Sequence, residues 1–149
     1  MKKLILLTLI VILTACSFGA TTEFEKNRQT WQDSGITHYR FSLNIGCFCA
    51  FRDKMPLTVE VQNGEVISMT YPEGTLVAAT DPNYETFSSH ATIDRIFVEL
   101  EAGLAGGADE VTVTYDPTSG FPNDIYFDYI KGAADDELSI TASNFEVLK

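Results

Sequence analysis

In the stretch Ile36 to Cys49, ITHYRFSLNIGCFC, apolar Tyr39, Phe41, Leu43 and Ile45 alternate with polar His38, Arg40, Ser42 and Asn44. Successive side chains on a strand point to opposite faces, so a period of two predicts a strand with one buried and one open face. The strand runs into Gly46 and then Cys47-Phe48-Cys49. On a flat strand, side chains two apart share a face but stand too far apart for a disulfide, which wants Cβ atoms about 3.8 Å apart. Pairing Cys47 with Cys49 therefore demands a sharp bend at Phe48. A ring this small closes almost no chain, so its entropic contribution to stability is slight. The expected use of the pair is a local disulfide clip at the end of the strand. A redox pair would want a thiolate stabilised by a helix N-terminus or by cations, and only Arg52 and Lys54 are close in sequence. A copper site would want further soft ligands, and the loop offers only Met55.

The rest of the chain can be read around this strand. Thr22-x-x-Glu25 has the form of a capping box, which predicts a helix from about Thr22 to Ser34, stopped by Gly35 and anchored by Trp31. Leu57 to Tyr71 predicts a hairpin at Asn63-Gly64. A three-residue loop, Gln62 to Gly64, is expected, because it sets Val59 opposite Ile67 and Leu57 opposite Met69 and so keeps one continuous apolar face. Pro72 to Ser89 shows no period and is expected to be irregular. Thr92 can cap a second helix carrying Ile93, Ile96, Phe97, Leu100 and Leu104, with Gly106-Gly107 at its end. Three strands follow, around Val111 to Tyr115, Ile125 to Tyr129 and Leu138 to Val147, joined by the turn Asp116 to Gly120 and an acidic turn, Gly132 to Glu137. Gly35 and Gly107 hold corresponding places, as do Pro56 and Pro122. The pattern reads as a weak duplication of an αβββ unit, in which the Cys47–Cys49 loop answers to the Asp116–Gly120 turn. The predicted fold is α+β: a single antiparallel sheet of about six strands from two αβββ halves, with both helices on one face.

The N-terminus carries a different signal. Met1-Lys2-Lys3 is followed by Leu4 to Leu13, apolar except for Thr8, which is too short to span a bilayer but suits the core of a signal peptide. The run ends in Leu13-Thr14-Ala15-Cys16, which resembles the lipobox of bacterial lipoproteins. That resemblance implies cleavage before Cys16, a diacylglycerol on its sulfur and an acyl chain on the new N-terminus. Several chains together give stable anchoring, since each buried CH₂ contributes about 0.8 kcal/mol. Ser17, in place of the aspartate that retains such proteins in the inner membrane of two-membrane bacteria, implies the outer membrane, with the domain facing the periplasm. The expected organisation is a signal peptide over 1–15, a lipidated tether over 16–21 and one domain over 22–149. Removing fifteen of the 149 residues, two of them lysines, leaves 134 and takes the formal charge from −11 to −13. A body this acidic repels nucleic acid and anionic lipid, so the acyl chains would hold it to the membrane.

The remaining candidates have structural explanations. His38 and His90 are far apart in sequence, and His38 lies on the open parity of its strand; both are expected at the surface. Asp116, Asp124 and Asp128 flank one hairpin and Asp135, Asp136 and Glu137 fill the next turn, but their spacing fits no EF-hand loop. Tyr39, Tyr71, Tyr115 and Tyr129 sit at core parity; Tyr126 alone is opposite in parity to its neighbours Ile125 and Phe127.

Trp31, Gly35-Ile36-Thr37, Tyr39-Arg40-Phe41, Cys47-Phe48-Cys49, Val59-Glu60-Val61 with Asn63-Gly64-Glu65-Val66, and Thr114-Tyr115-Asp116-Pro117 with Gly120-Phe121-Pro122 together resemble domain of unknown function 6174, a family of bacterial secreted proteins and lipoproteins. The resemblance spans roughly Asn27 to Phe145, and its most specific feature is the Cys-x-Cys after a Tyr-Arg-Phe strand. It implies no catalytic role for any residue. The chain departs from the family's pattern at Ala50, where a proline usually follows the second cysteine closely. The expected function is therefore a non-enzymatic binding or structural role in the cell envelope, without cofactor or metal. Its expected partners are the membrane, through the lipid on Cys16, and an envelope protein. The alternatives are a thiol-disulfide redox protein using Cys47 and Cys49, and an interaction module similar to tandem αβββ inhibitors.

Overall fold

A computed structural model describes the backbone from Ala15 and the side chains from Thr22, in both cases through Lys149. The expected signal segment, save the backbone of its last residue, and the side chain of Cys16 lie outside the described residues. The chain folds into α1 (Ala15–Asp33), β1 (His38–Gly46), β2 (Leu57–Gln62), β3 (Glu65–Thr70), α2 (Tyr84–Ser89), α3 (Ile93–Ala102), β4 (Glu110–Tyr115), β5 (Pro122–Asp128) and β6 (Leu138–Val147). The six strands form one sheet in the order β3-β2-β1-β6-β5-β4, and every neighbouring pair is antiparallel.

The alternation in β1 works as expected: Tyr39, Phe41, Leu43 and Ile45 are all buried. They meet Leu57, Val59 and Val61 of β2, Ile125 and Phe127 of β5, and Ile140 and Ala142 of β6 in one core. Both long helices cover this face. The indole of Trp31 on α1 packs edge-on to Tyr39 and to Phe121, and its Nε1 donates to Asp94 on α3 at 3.1 Å. The Tyr39 hydroxyl accepts from the Ile93 backbone N–H, and the Thr92 hydroxyl accepts from that of Arg95. These bonds satisfy donors that the first turn of α3 would otherwise leave unpaired. Burial pushes the Tyr39 phenol up to about 12, so it stays a neutral hydroxyl there.

The opposite face is polar and self-paired. His38 meets Glu60 at 3.0 Å, Arg40 meets Glu146 at 2.7 Å, Thr141 donates to Asp124, and Asn144 donates to Ser42. Cross-strand pairs of this kind set register and solvate the open side of an antiparallel sheet.

Four local expectations are corrected. The first helix extends back to Ala15, so Thr22 lies inside it rather than at its start, and the backbone of residues 16–21, the expected tether, is helical. The hairpin turns on two residues, Asn63 (φ 53) and Gly64 (φ 79), which brings Val61 opposite Val66; a bulge at Ile67 then restores Met69 to Val59. The left-handed pair suits the twist of a hairpin better than a longer loop, and the bulge turns Ile67 outward, 55% exposed. The supposedly irregular segment contains α2, whose Phe87 is fully buried.

The fourth correction concerns duplication. Setting aside the short α2, the element order is αβββ twice, and the triplets follow one another across the sheet. Yet β4 runs opposite to β1, while α1 and α3 cover the same face. A rotation that reverses strand direction and keeps the lateral order also turns a sheet over. The halves thus share an element order without being superposable by rotation, and the loops after β1 and after β4 lie at opposite ends of the sheet.

Candidate functional site

Beyond Gly46 the chain leaves the sheet, and the sulfurs of Cys47 and Cys49 lie at disulfide-bonding distance with their Cα atoms 5.1 Å apart. Both cysteines are half-buried against the core. Cys47 continues the inward parity of Ile45, so Phe48 must point the other way, and its ring is 75% exposed. Two residues after Cys49, Phe51 turns back inward; it is buried and packs edge-on to Phe87 of α2 at 5.1 Å. A short 3-10 turn, Arg52–Lys54, follows. The Lys54 ammonium sits 3.9 Å from Asp81 and 5.3 Å from the centre of the Tyr71 ring. Asp81 also accepts from the Tyr71 hydroxyl at 2.6 Å and from the Asn83 backbone N–H, and these bonds hold its carboxyl below the usual carboxylate range. The loop is thus fixed at its base by an aromatic anchor and a lysine, and carries one unburied aromatic at its tip.

Phe48 divides two shallow hollows. One, about 420 Å³, is lined by Phe48, Cys49, Ala50, Arg52 and Asp53. The other, about 280 Å³, is lined by Gly46, Cys47, Phe48, Tyr126, Asp135, Glu137 and Ser139. Sheet register explains the second. Gly46 pairs with Ser139 and Ser139 with Tyr126, so these three stand in one row across β1, β6 and β5. Two small residues in that row leave room between the Phe48 and Tyr126 rings, and Tyr126 is 40% exposed, as its parity predicts.

The β5–β6 turn supplies the acidic rim. It is held by Asp136, which accepts from the Ile130 N–H, and by Asp109, which accepts from the Lys131 N–H. Lys131 lies 3.9 Å from Glu110. Among the described residues, Asp135 and Glu137 take part in no hydrogen bond or ion pair. Partial desolvation, then the charges of Asp136, Glu137, Glu110 and Asp109, raise the Asp128 carboxyl above its ordinary value. Tyr126 is raised by desolvation and then by the charges of Glu137, Asp128, Glu110 and Asp136. Negative charge is therefore concentrated here without matching positive charge.

The other candidates are not brought to this loop. His38 is tied to Glu60, and His90 contacts the Thr86 carbonyl and the Ser89 hydroxyl. Asp116 lies at the opposite end of the sheet. There its Oδ1 accepts from the Thr118 and Ser119 N–H groups and from the Ser119 hydroxyl. These bonds outweigh desolvation and hold its carboxyl low. Asp124 is paired with Thr141, and among the described residues no group of three histidines, cysteines or carboxylates could hold a metal ion. Phe48 and Phe51 were not singled out from the sequence. Strand parity carried past Ile45 marks the first as outward; the second, an isolated aromatic in a polar loop, offers no periodicity to place it.

No curated protein and no solved structure matches the chain. A family model does, from residue 23 to residue 147, a span that takes in the whole sheet, both long helices' packed faces and the cysteine loop: the chain belongs to the family of unknown function DUF6174.

Proposed function

We propose that this protein is a lipid-anchored, non-enzymatic binding module of the cell envelope, and that its contact loop is Cys47-Phe48-Cys49. The observation that carries the reading is the exposure of Phe48 on a loop whose base is anchored. A large apolar ring left in water costs about 1.5–3 kcal/mol relative to burial, and aromatic side chains are enriched at the buried centres of interfaces. The cysteine loop lies at the end of the strands opposite the Asp116–Gly120 turn, which packs on α1 with a Cβ at Gly120 falling 2.5 Å from the Asn27 carbonyl. With the acyl chains of Cys16 in the outer membrane, the loop would face the periplasm.

The test is a photoreactive amino acid placed at position 48 or at position 67 in cells. Ile67 is also exposed but belongs to the β2–β3 hairpin, so it reports chance encounters. A discrete adduct at 48 and none at 67 is expected; equal adducts at both, or none at 48, would overturn the reading.

The redox alternative has one observation in its favour: Arg52 shares a hollow with Cys49, and a nearby cation lowers a thiol's pKa. Asp135 and Glu137 beside Cys47 act in the opposite sense, because a thiolate there would meet like charge.

A further inference from the structure

The hollow between Phe48 and Tyr126 has a chemistry that selects its occupant. Its walls are two exposed aromatic rings, its floor is Gly46 and Ser139, and its rim is Asp135 and Glu137. Ring faces attract cations, and carboxylates without partners attract them more strongly. Candidate cations of the chain itself are committed elsewhere: Lys131 to Glu110, Lys54 to Asp81 and Arg40 to Glu146. Arg52 lines the hollow on the far side of Phe48. With a formal charge of −11 over the whole chain, long-range attraction acts in the same sense.

We infer that this hollow docks a basic side chain, arginine or lysine, on an exposed segment of a partner protein, with the aliphatic stem of that side chain against Phe48 and Tyr126 and its charged head between Asp135 and Glu137. Long basic side chains are amphipathic in this way: the methylene stem packs on apolar surface while the head keeps polar company. The inference rests on the binding-loop reading above and names its partner's chemistry.

The experiment uses the full chain in detergent micelles, isotope-labelled, with a peptide of three Arg-Gly repeats as probe and its citrulline counterpart as the neutral isostere. Titration is followed by amide chemical shifts at about 0.15 M salt, where screening acts beyond about 8 Å. The expected result is a set of shifts confined to Gly46–Phe48, Tyr126 and Asp135–Ser139, given by the arginine peptide and not by the citrulline one. Asp135→Asn with Glu137→Gln should weaken binding about tenfold, and Phe48→Ala about threefold. Glu73→Gln with Glu85→Gln, which removes the same charge elsewhere, should leave it unchanged, and undisturbed shifts in the rest of the sheet show that each variant is folded. Shifts spread over the whole acidic surface, or equal weakening by the two charge variants, would mean attraction by net charge alone and would overturn the inference. A hollow that ignores the peptide while the in-cell adduct at position 48 still forms removes the cation assignment and leaves the binding loop standing. A missing adduct with an occupied hollow removes the binding loop, and with it the docking of a partner, and leaves only a hollow that holds a basic side chain in solution.

Discussion

At the scale of single residues, three carboxylates carry opposite signs of pH dependence. Asp116 and Asp81 have folded-state values below their ordinary ones, so they contribute stability that is present above the unfolded pKa, about 3.9, and is lost as pH falls through the folded value. Asp128 is raised, so its ionisation disfavours the fold, and the penalty disappears as pH falls through its folded pKa. Asp116→Ala deletes the acceptor for three donors and should cost about 1–3 kcal/mol near neutral pH. In urea titrations, that difference from the parent should begin to shrink only below the ordinary carboxylate pKa and vanish as pH falls through the lowered folded value, where the parent's own carboxyl is protonated. Asp128→Asn should raise the melting temperature near neutral pH and lose its effect in acid. Equal effects of either substitution at both pH values would show that its charge is not the cause.

At the scale of elements, the hairpin and the cysteine loop are the informative cases. Burial separates Ile67 from Met69, although both belong to the apolar alternation that the sequence offers for β3. Ile67→Thr should change stability by less than about 0.5 kcal/mol, as for an ordinary surface site. Met69→Ala should cost about 2–5 kcal/mol, as for a large-to-small change in a core. A large loss at Ile67 would mean that the bulge is not where the structure puts it. In the cysteine loop, a ring of three residues removes little unfolded-chain entropy, about 1–2 kcal/mol by the loop-closure relation. Phe51→Ala should cost about 3–5 kcal/mol. Replacing both cysteines by serine should therefore destabilise the protein less than removing Phe51, as measured by urea unfolding. The opposite ranking would make the disulfide, rather than the aromatic anchor, what holds the loop.

The same two elements show what can be read from a sequence and what cannot. Period-two patterns gave the strands and their buried faces, because burial on one face writes directly into alternate residues such as Tyr39 to Ile45. The exposed side of Tyr126 was legible for that reason. The hairpin register was not, because two rules competed: the continuous apolar face favoured a three-residue loop, whereas Asn63-Gly64 favoured a two-residue turn. The structure meets both with a bulge that no pattern announces. The second hollow was illegible as well. It is made by a row of residues from three strands, Gly46, Ser139 and Tyr126, together with a turn far along the chain, and only register brings them together.

At the scale of the whole molecule, the proposed function joins an anchor near the start of the chain to a contact loop at one end of the sheet. Labelling with radioactive palmitate should mark the parent and fail to mark Cys16→Ser; unchanged incorporation would remove the anchor. Among the described residues no helix is long and apolar enough to cross a membrane. The claim on which the rest depends is that the paired sulfurs shape a surface and pass no electrons. Its most direct measurement is the rate at which the full chain exchanges disulfides with a reduced, unfolded protein substrate, compared with the Cys47→Ser/Cys49→Ser variant. The account predicts the same slow background rate for both. Rapid exchange by the parent that is abolished in the variant would contradict it and make the pair a redox centre.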